Sequence, residues 1–177
     1  MCVIEPSPVL ETRRLVLRSP QAQDVSRLAA LANDADIARM TLRMPHPFST
    51  TDAEDFVINV AGQDPATART FLIEHEDNGP VGVLGIFQDK DLAPEVGYWI
   101  GRPFWGRGYA TEALDGAIAW ASRTWKRRAL VAGHFADNPA SGRVLEKAGF
   151  LYTGEVRRGF SRARGADTDT RRMVWLA

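Results

Sequence analysis

A chain of 177 residues with 45% apolar and 25% charged side chains suits one domain, able to bury about 70% of its unfolded surface without metals or disulfides. Its 22 basic residues balance its 22 acidic ones, so no net field gathers nucleic acid or an anionic membrane around it. The lone Cys2 excludes an internal disulfide, no apolar run reaches the ~20 residues that span a bilayer, and the three histidines lack metal-ligand spacing. A single cytoplasmic domain over residues 1–177, with no metal, is therefore expected.

In chain order, Leu15, Val16 and Leu17 predict a first strand, and Val25, Leu28, Ala29, Leu31 and Ala32 recur at helical spacing after Asp24. Residues 40–49 hold Pro45 and Pro47, which predicts an irregular connection, ended where Thr51, Asp52, Ala53 and Glu54 open another helix. That connection is expected to line a substrate pocket. Strands at 71–74, 81–87 and 95–100, separated by turns at 77–80 and 89–94, predict an antiparallel meander.

Residues 105–111, Trp-Gly-Arg-Gly-Tyr-Ala-Thr, place two glycines in a tight turn before a helix whose stripe is Ala110, Ala113, Leu114, Ala117, Ile118 and Ala121. Helix N-termini carry unpaired N–H donors and partial positive charge, and glycine admits a diphosphate close to the backbone. A strand at 129–135 follows. Asn138 and Pro139 then open a helix with apolar Val144, Leu145 and Ala148, ended by Gly149. A final hairpin is expected, with arms at 150–156 and 173–176 joined by a polar, Arg-rich loop at 157–172.

Three phosphate-binding patterns compete for the glycine turn. A Walker loop requires a lysine that is missing here, and a dinucleotide fingerprint requires a third glycine where Thr111 stands and an acidic residue near Arg127 and Arg128. The segment Gly106-Arg107-Gly108-Tyr109-Ala110 instead resembles the acyl-CoA pyrophosphate loop of the GNAT N-acetyltransferase superfamily, whose pattern is Gln/Arg-x-x-Gly-x-Gly/Ala. Leu10-Glu11-Thr12-Arg13-Arg14-Leu15, the strand 95–100, Tyr109 to Leu114, and Asn138-Pro139-Ala140-Ser141 through Gly149-Phe150 extend the resemblance to the branch that includes ribosomal-protein N-terminal acetyltransferases. Trp105 departs from the pattern, standing where Gln or Arg is usual. It and Phe104 read as packing residues beside the turn. Backbone amides carry most of such a loop's binding, so pyrophosphate binding is expected to survive.

The resemblance implies an α/β (α+β) fold with a mixed, mostly antiparallel sheet of six to seven strands flanked by helices, splayed between the fourth and fifth (95–100 and 129–135). It implies acetyl-CoA as cosubstrate, with the pantetheine arm in the splay and the Ile100 N–H polarising the thioester carbonyl. Gly106, Arg107, Gly108, Tyr109, Ala110 and Thr111 would hold pyrophosphate, Asn138 the CoA arm and Arg143 a CoA phosphate. Ser141 would protonate the departing thiolate or stand idle. An attacking amine must be neutral, so a carboxylate is a useful base. Glu95 is the first candidate, sharing a face with Gly97 and Trp99, or else it forms a surface ion pair; lone His134 is the weaker alternative. Cys2 has no neighbours that would make it an acyl carrier.

The function implied is direct transfer of acetyl from acetyl-CoA to a primary amine in a ternary complex, the amine being a protein N-terminus by branch resemblance. The alternatives are a small-molecule acceptor (metabolite, polyamine or antibiotic) and a non-catalytic acyl-CoA sensor. Arg43, Arg157, Arg158, Arg162 and Arg164 read as solvated surface charge, or as a hint of an acidic acceptor. Monomer and homodimer both remain open.

Overall fold

The computed structural model describes residues 7–88 and 92–177, so Cys2 and part of the predicted turn at 89–94 lie outside the described residues. The chain runs β1 (Leu10–Glu11), β2 (Leu15–Arg18), α1 (Val25–Ala32), α2 (Ala35–Ala38), α3 (Thr50–Ala61), β3 (Ala68–His75), β4 (Gly79–Phe87) and β5 (Glu95–Ile100). It continues through α4 (Tyr109–Arg123), β6 (Ala129–Phe135), α5 (Pro139–Lys147), β7 (Leu151–Ser161) and β8 (Ala166–Leu176). These strands form an eight-stranded sheet in the order β1-β2-β3-β4-β5-β6-β8-β7. Every neighbouring pair is antiparallel except β5 and β6, which need the α4 crossover because parallel neighbours cannot be joined by a tight turn.

The strand beyond the expected number is β1, whose two residues pair with Leu17 and Val16 and are too few to show a period. The larger correction concerns the final hairpin. Its arms continue to Ser161 and Ala166, so most of the expected loop at 157–172 is strand and residues 162–165 make the turn. Residues 151–158 are exposed throughout, so β7 has no alternation of apolar and polar positions; its pairing with β8 holds it instead.

Two apolar layers clamp the sheet. One face packs Leu84, Ile86, Val96 and Leu130 against Ala113, Leu114 and Ala117 of α4 and Leu145 of α5. The opposite face packs Leu72 and Val83 against Leu28 of α1 and Ala53 and Val57 of α3. Local signals start the helices where the site needs them. Ser49 caps α3 and exchanges hydrogen bonds with Asp52, while the Asn138 side chain accepts the Ser141 N–H at 3.2 Å with Pro139 at the first helical position.

Candidate active site at the splay of β5 and β6

Strands β5 and β6 pair only at Glu95 with Val131 and Val96 with Ala132, and beyond those residues they part. The Val131 N–H reaches the Pro94 carbonyl at 2.9 Å, and the Gly101 N–H reaches the Val81 carbonyl of β4 at 2.8 Å. Alternation along β5 therefore turns the backbone groups of Tyr98 and Ile100 away from β4 and into the gap. The Ile100 carbonyl accepts a 2.6 Å hydrogen bond from the Trp105 indole N–H. Trp105 is 49% exposed, so the departure from the usual Gln or Arg does more than pack: it ties the glycine turn to the end of β5. Phe104, by contrast, is buried as expected.

The turn itself has the conformation its glycines permit. Gly106 and Gly108 sit at φ 73° and 78°, and Gly108 is the N-cap of α4, leaving the N–H groups of Tyr109, Ala110 and Thr111 in the first helical turn. Tyr109 contributes backbone alone, because its ring is buried beneath the Arg14 guanidinium, 4.8 Å from the ring centre, and beside His75. Arg107 is exposed with its guanidinium 5.7 Å over the Phe104 ring.

Glu112, not anticipated from sequence, braces this turn. It accepts hydrogen bonds from the Thr12 hydroxyl at 2.8 Å and from Arg14 Nε and backbone N–H, both at 2.7 Å. Burial pushes its carboxyl up, but the hydrogen bonds from Thr12 and Arg14 outweigh that and hold it below the usual carboxylate range. A cleft of about 580 Å³ opens here between Gly108, Thr111 and Glu112 on one side and Glu11, Thr12 and Arg13 on the other. The only prior signal was Glu112's place in the first turn of a helix, where an acid suits the dipole.

Across the gap, Ser141 lies in the first turn of α5 and meets Tyr98 of β5. The phenol oxygen is 3.0 Å from the Ser141 hydroxyl and donates to the Ser141 carbonyl at 3.1 Å. Arg143 stands exposed on the same helix. His134 is buried with both ring nitrogens committed, Nδ1 to the Phe135 carbonyl at 2.8 Å and Nε2 to the Tyr152 hydroxyl at 2.9 Å. A carbonyl only accepts, so Nδ1 carries a proton and donates to Phe135. The weaker candidate base thus has neither ring nitrogen free.

Glu95 does not join the Ile100 and Ser141 group. It sits at the pivot of the splay, five residues or about 16 Å of strand from Ile100, and on the opposite face from Tyr98. Its carboxylate is half-exposed and takes a 2.5 Å hydrogen bond from Arg172, whose side chain is only 12% exposed. Arg172 belongs to β8 and reaches β5 across Gly133 of β6, where an added Cβ would lie 3.0 Å from the guanidinium and 2.6 Å from the Thr170 methyl. Glu155 and Arg157 pair at 2.6 Å nearby, and Arg157 and then Arg172 hold the Glu155 carboxyl low. Most of the arginines expected to be solvated are likewise engaged: Arg158 meets Asp169 at 3.6 Å, and Arg164 grips Asp137 at 2.8 Å. Among the described residues no group of three or more His, Cys, Asp or Glu could hold a metal ion, and no helix is long and apolar enough to cross a membrane.

The family model described as "Acetyltransferase (GNAT) domain" matches residues 14–151, more than half the chain. The chain belongs to the GNAT acetyltransferase family. It is an acetyl-CoA-dependent N-acetyltransferase. The ribosomal-protein-serine acetyltransferase of Escherichia coli (strain K12) is 30% identical over 98 residues, 54% of each chain. Two solved structures show the same GNAT fold. RimL, a ribosomal L7/L12 α-N-protein acetyltransferase in complex with coenzyme A, has a TM-score of 0.83 at 20% identity, covering 96% of this chain and 98% of its own. The spermidine N-acetyltransferase of Vibrio cholerae, in complex with CoA and spermine, has a TM-score of 0.76 at 19% identity, covering 92% and 95%.

Proposed function

We propose that this GNAT enzyme moves acetyl from acetyl-CoA to a primary amine by direct attack in a ternary complex, and that the amine is a protein or peptide N-terminus. The observation that carries the transfer reading is the β5–β6 gap, into which alternation turns the Ile100 N–H while Ser141 faces it from α5. The pyrophosphate rests on the N–H groups from Gly106 to Thr111, with Asn138 and Arg143 serving the rest of the CoA arm. Ile100 then donates to the thioester oxygen as negative charge develops there, a contribution of about 3 to 4 kcal/mol where such donors have been removed. The new N–C bond forms, the C–S bond breaks with its electron pair on sulfur, and Ser141 meets that charge.

The amine must first lose its proton. Glu95 stands about 16 Å along the strand from Ile100, so its part in removing that proton runs through a chain of several waters and not by direct contact. The acceptor reading rests on charge. Glu95 and Glu155, the carboxylates beside the splay, are already paired with Arg172 and Arg157, and a balanced surface draws a polycation weakly. RimL, an α-N-protein acetyltransferase by name, supports the same reading; the spermidine enzyme marks the alternative. The test is release of free thiol from acetyl-CoA against a panel of N-terminal peptides, polyamines and aminoglycosides. Turnover confined to peptides is expected. Turnover confined to polyamines overturns the acceptor, and tight acetyl-CoA binding without release of CoA across the panel overturns transfer.

A further inference from the structure

We propose that Tyr98 is a positioning residue that aims the Ser141 hydroxyl at the departing CoA sulfur. The inference rests on the acetyl-transfer reading above and adds to it a residue that does not itself touch the reacting atoms. Tyr98 leaves β5 on the face of Val96 and Ile100 and crosses the gap to α5, where both of its contacts fall on Ser141.

A phenol has one proton to give. Burial pushes the Tyr98 hydroxyl up to about 12, against a smaller downward pull from its hydrogen bond with Ser141, so it stays protonated at neutral pH. The proton has two acceptors within reach, the Ser141 carbonyl at 3.1 Å and the Ser141 Oγ at 3.0 Å. Donation to the carbonyl makes the phenol oxygen an acceptor and draws the serine proton towards Tyr98. Donation to Oγ frees the serine proton to point into the gap.

Charge selects between the two arrangements. Negative charge on sulfur favours the chain in which Tyr98 donates to Ser141 and Ser141 donates to sulfur, because each hydrogen bond polarises the next. The serine backbone is fixed independently, its N–H held by Asn138 at 3.2 Å, so Tyr98 governs where the hydroxyl aims. As the C–S bond breaks, its electron pair stays on sulfur, and the proton shed by the attacking amine ends there. Ser141 and Tyr98 lend hydrogen bonds while the charge lasts and finish with their own protons.

The experiment is a double-mutant cycle on kcat with Tyr98→Phe, Ser141→Ala and the pair, joined to a titration of the bound CoA thiol by its thiolate absorbance. Tyr98→Phe is expected to lower kcat about tenfold, the loss for one hydrogen bond, with KM for acetyl-CoA unchanged. The double variant is expected to match Ser141→Ala alone, and the bound thiol to ionise at lower pH in the wild type than in either single variant. A purely structural Tyr98 raises KM and leaves the thiol where it was, and that result overturns the proposal, as does a double variant whose loss is the product of the single losses. If the wild type binds CoA without turning over any amine, the transfer reading fails by itself, while the thiol titration still decides whether Tyr98 acts through Ser141.

Discussion

Gly133 shows how one missing side chain organises charge. Arg172 reaches Glu95 only by passing over β6 at Gly133, and a methyl group there meets Thr170 at 2.6 Å and the guanidinium at 3.0 Å. Gly133→Ala is therefore expected to cost about 1 to 3 kcal/mol of stability, the usual range for overpacking, read as a lower urea midpoint with unchanged slope. A second residue-scale prediction concerns Asp34, which caps α2 and takes hydrogen bonds from Arg102 just beyond β5. Those bonds hold its carboxyl at about 2, below its ordinary 3.8. Because the folded value is depressed, the stabilisation is complete above pH 3.8 and is lost as pH falls through about 2. Thermal unfolding of Asp34→Asn is expected to depend less on pH than the wild type between pH 4 and 2 and to be equally flat from pH 5 to 8; an unchanged acid slope would show the pair contributes nothing. Glu95's face was legible from strand parity, but its partner lies 77 residues away and only the fold brings them together.

At the scale of elements, the helix starts that serve the site were written locally and were legible. Gly108 is left-handed at φ 78°, where a Cβ is strained although no atom crowds it closer than Arg14 at 3.6 Å. Gly108→Ala is expected to raise KM for acetyl-CoA more than it lowers kcat, since it disturbs the N–H groups proposed for pyrophosphate and leaves the gap intact; isothermal titration with CoA is the direct check. Asn138→Ala removes the cap of α5 and is expected to cost about 1 kcal/mol, a fall of about 2 to 4 °C in Tm for a chain of this length. The hairpin of β7 and β8 was not legible to the same degree. The arms at 150–156 and 173–176 were legible, but the charged stretch 157–172 has the composition of a loop, and backbone pairing carries both strands through it to Ser161 and Ala166. Arg172 was hidden for the same reason: within a loop it is one more surface charge, within β8 its side chain is only 12% exposed and pairs with Glu95 beside the splay.

For the whole molecule, the connection at 40–49, expected to line a substrate pocket, is latched to the tip of the β7–β8 hairpin. The Arg162 N–H reaches the Leu42 carbonyl at 2.9 Å, and the Ser161 hydroxyl reaches the Thr41 carbonyl at 3.1 Å. Arg164 adds the strongest grip, donating to the Arg39 carbonyl at 2.6 Å and to both oxygens of Asp137, with its guanidinium 4.9 Å over the Phe135 ring. One arginine thus ties the hairpin tip to the end of α2 and to the turn after β6. It makes none of the contacts that shape the glycine turn, where Arg14, Thr12 and Glu112 do the bracing. Arg164→Ala should consequently loosen the acceptor side alone: a severalfold rise in KM for the amine is expected, with KM for acetyl-CoA unchanged, measured by thiol release with each substrate varied in turn. Equal rises in both would mean that the latch holds the splay itself, and that acceptor and cosubstrate surfaces move as one body.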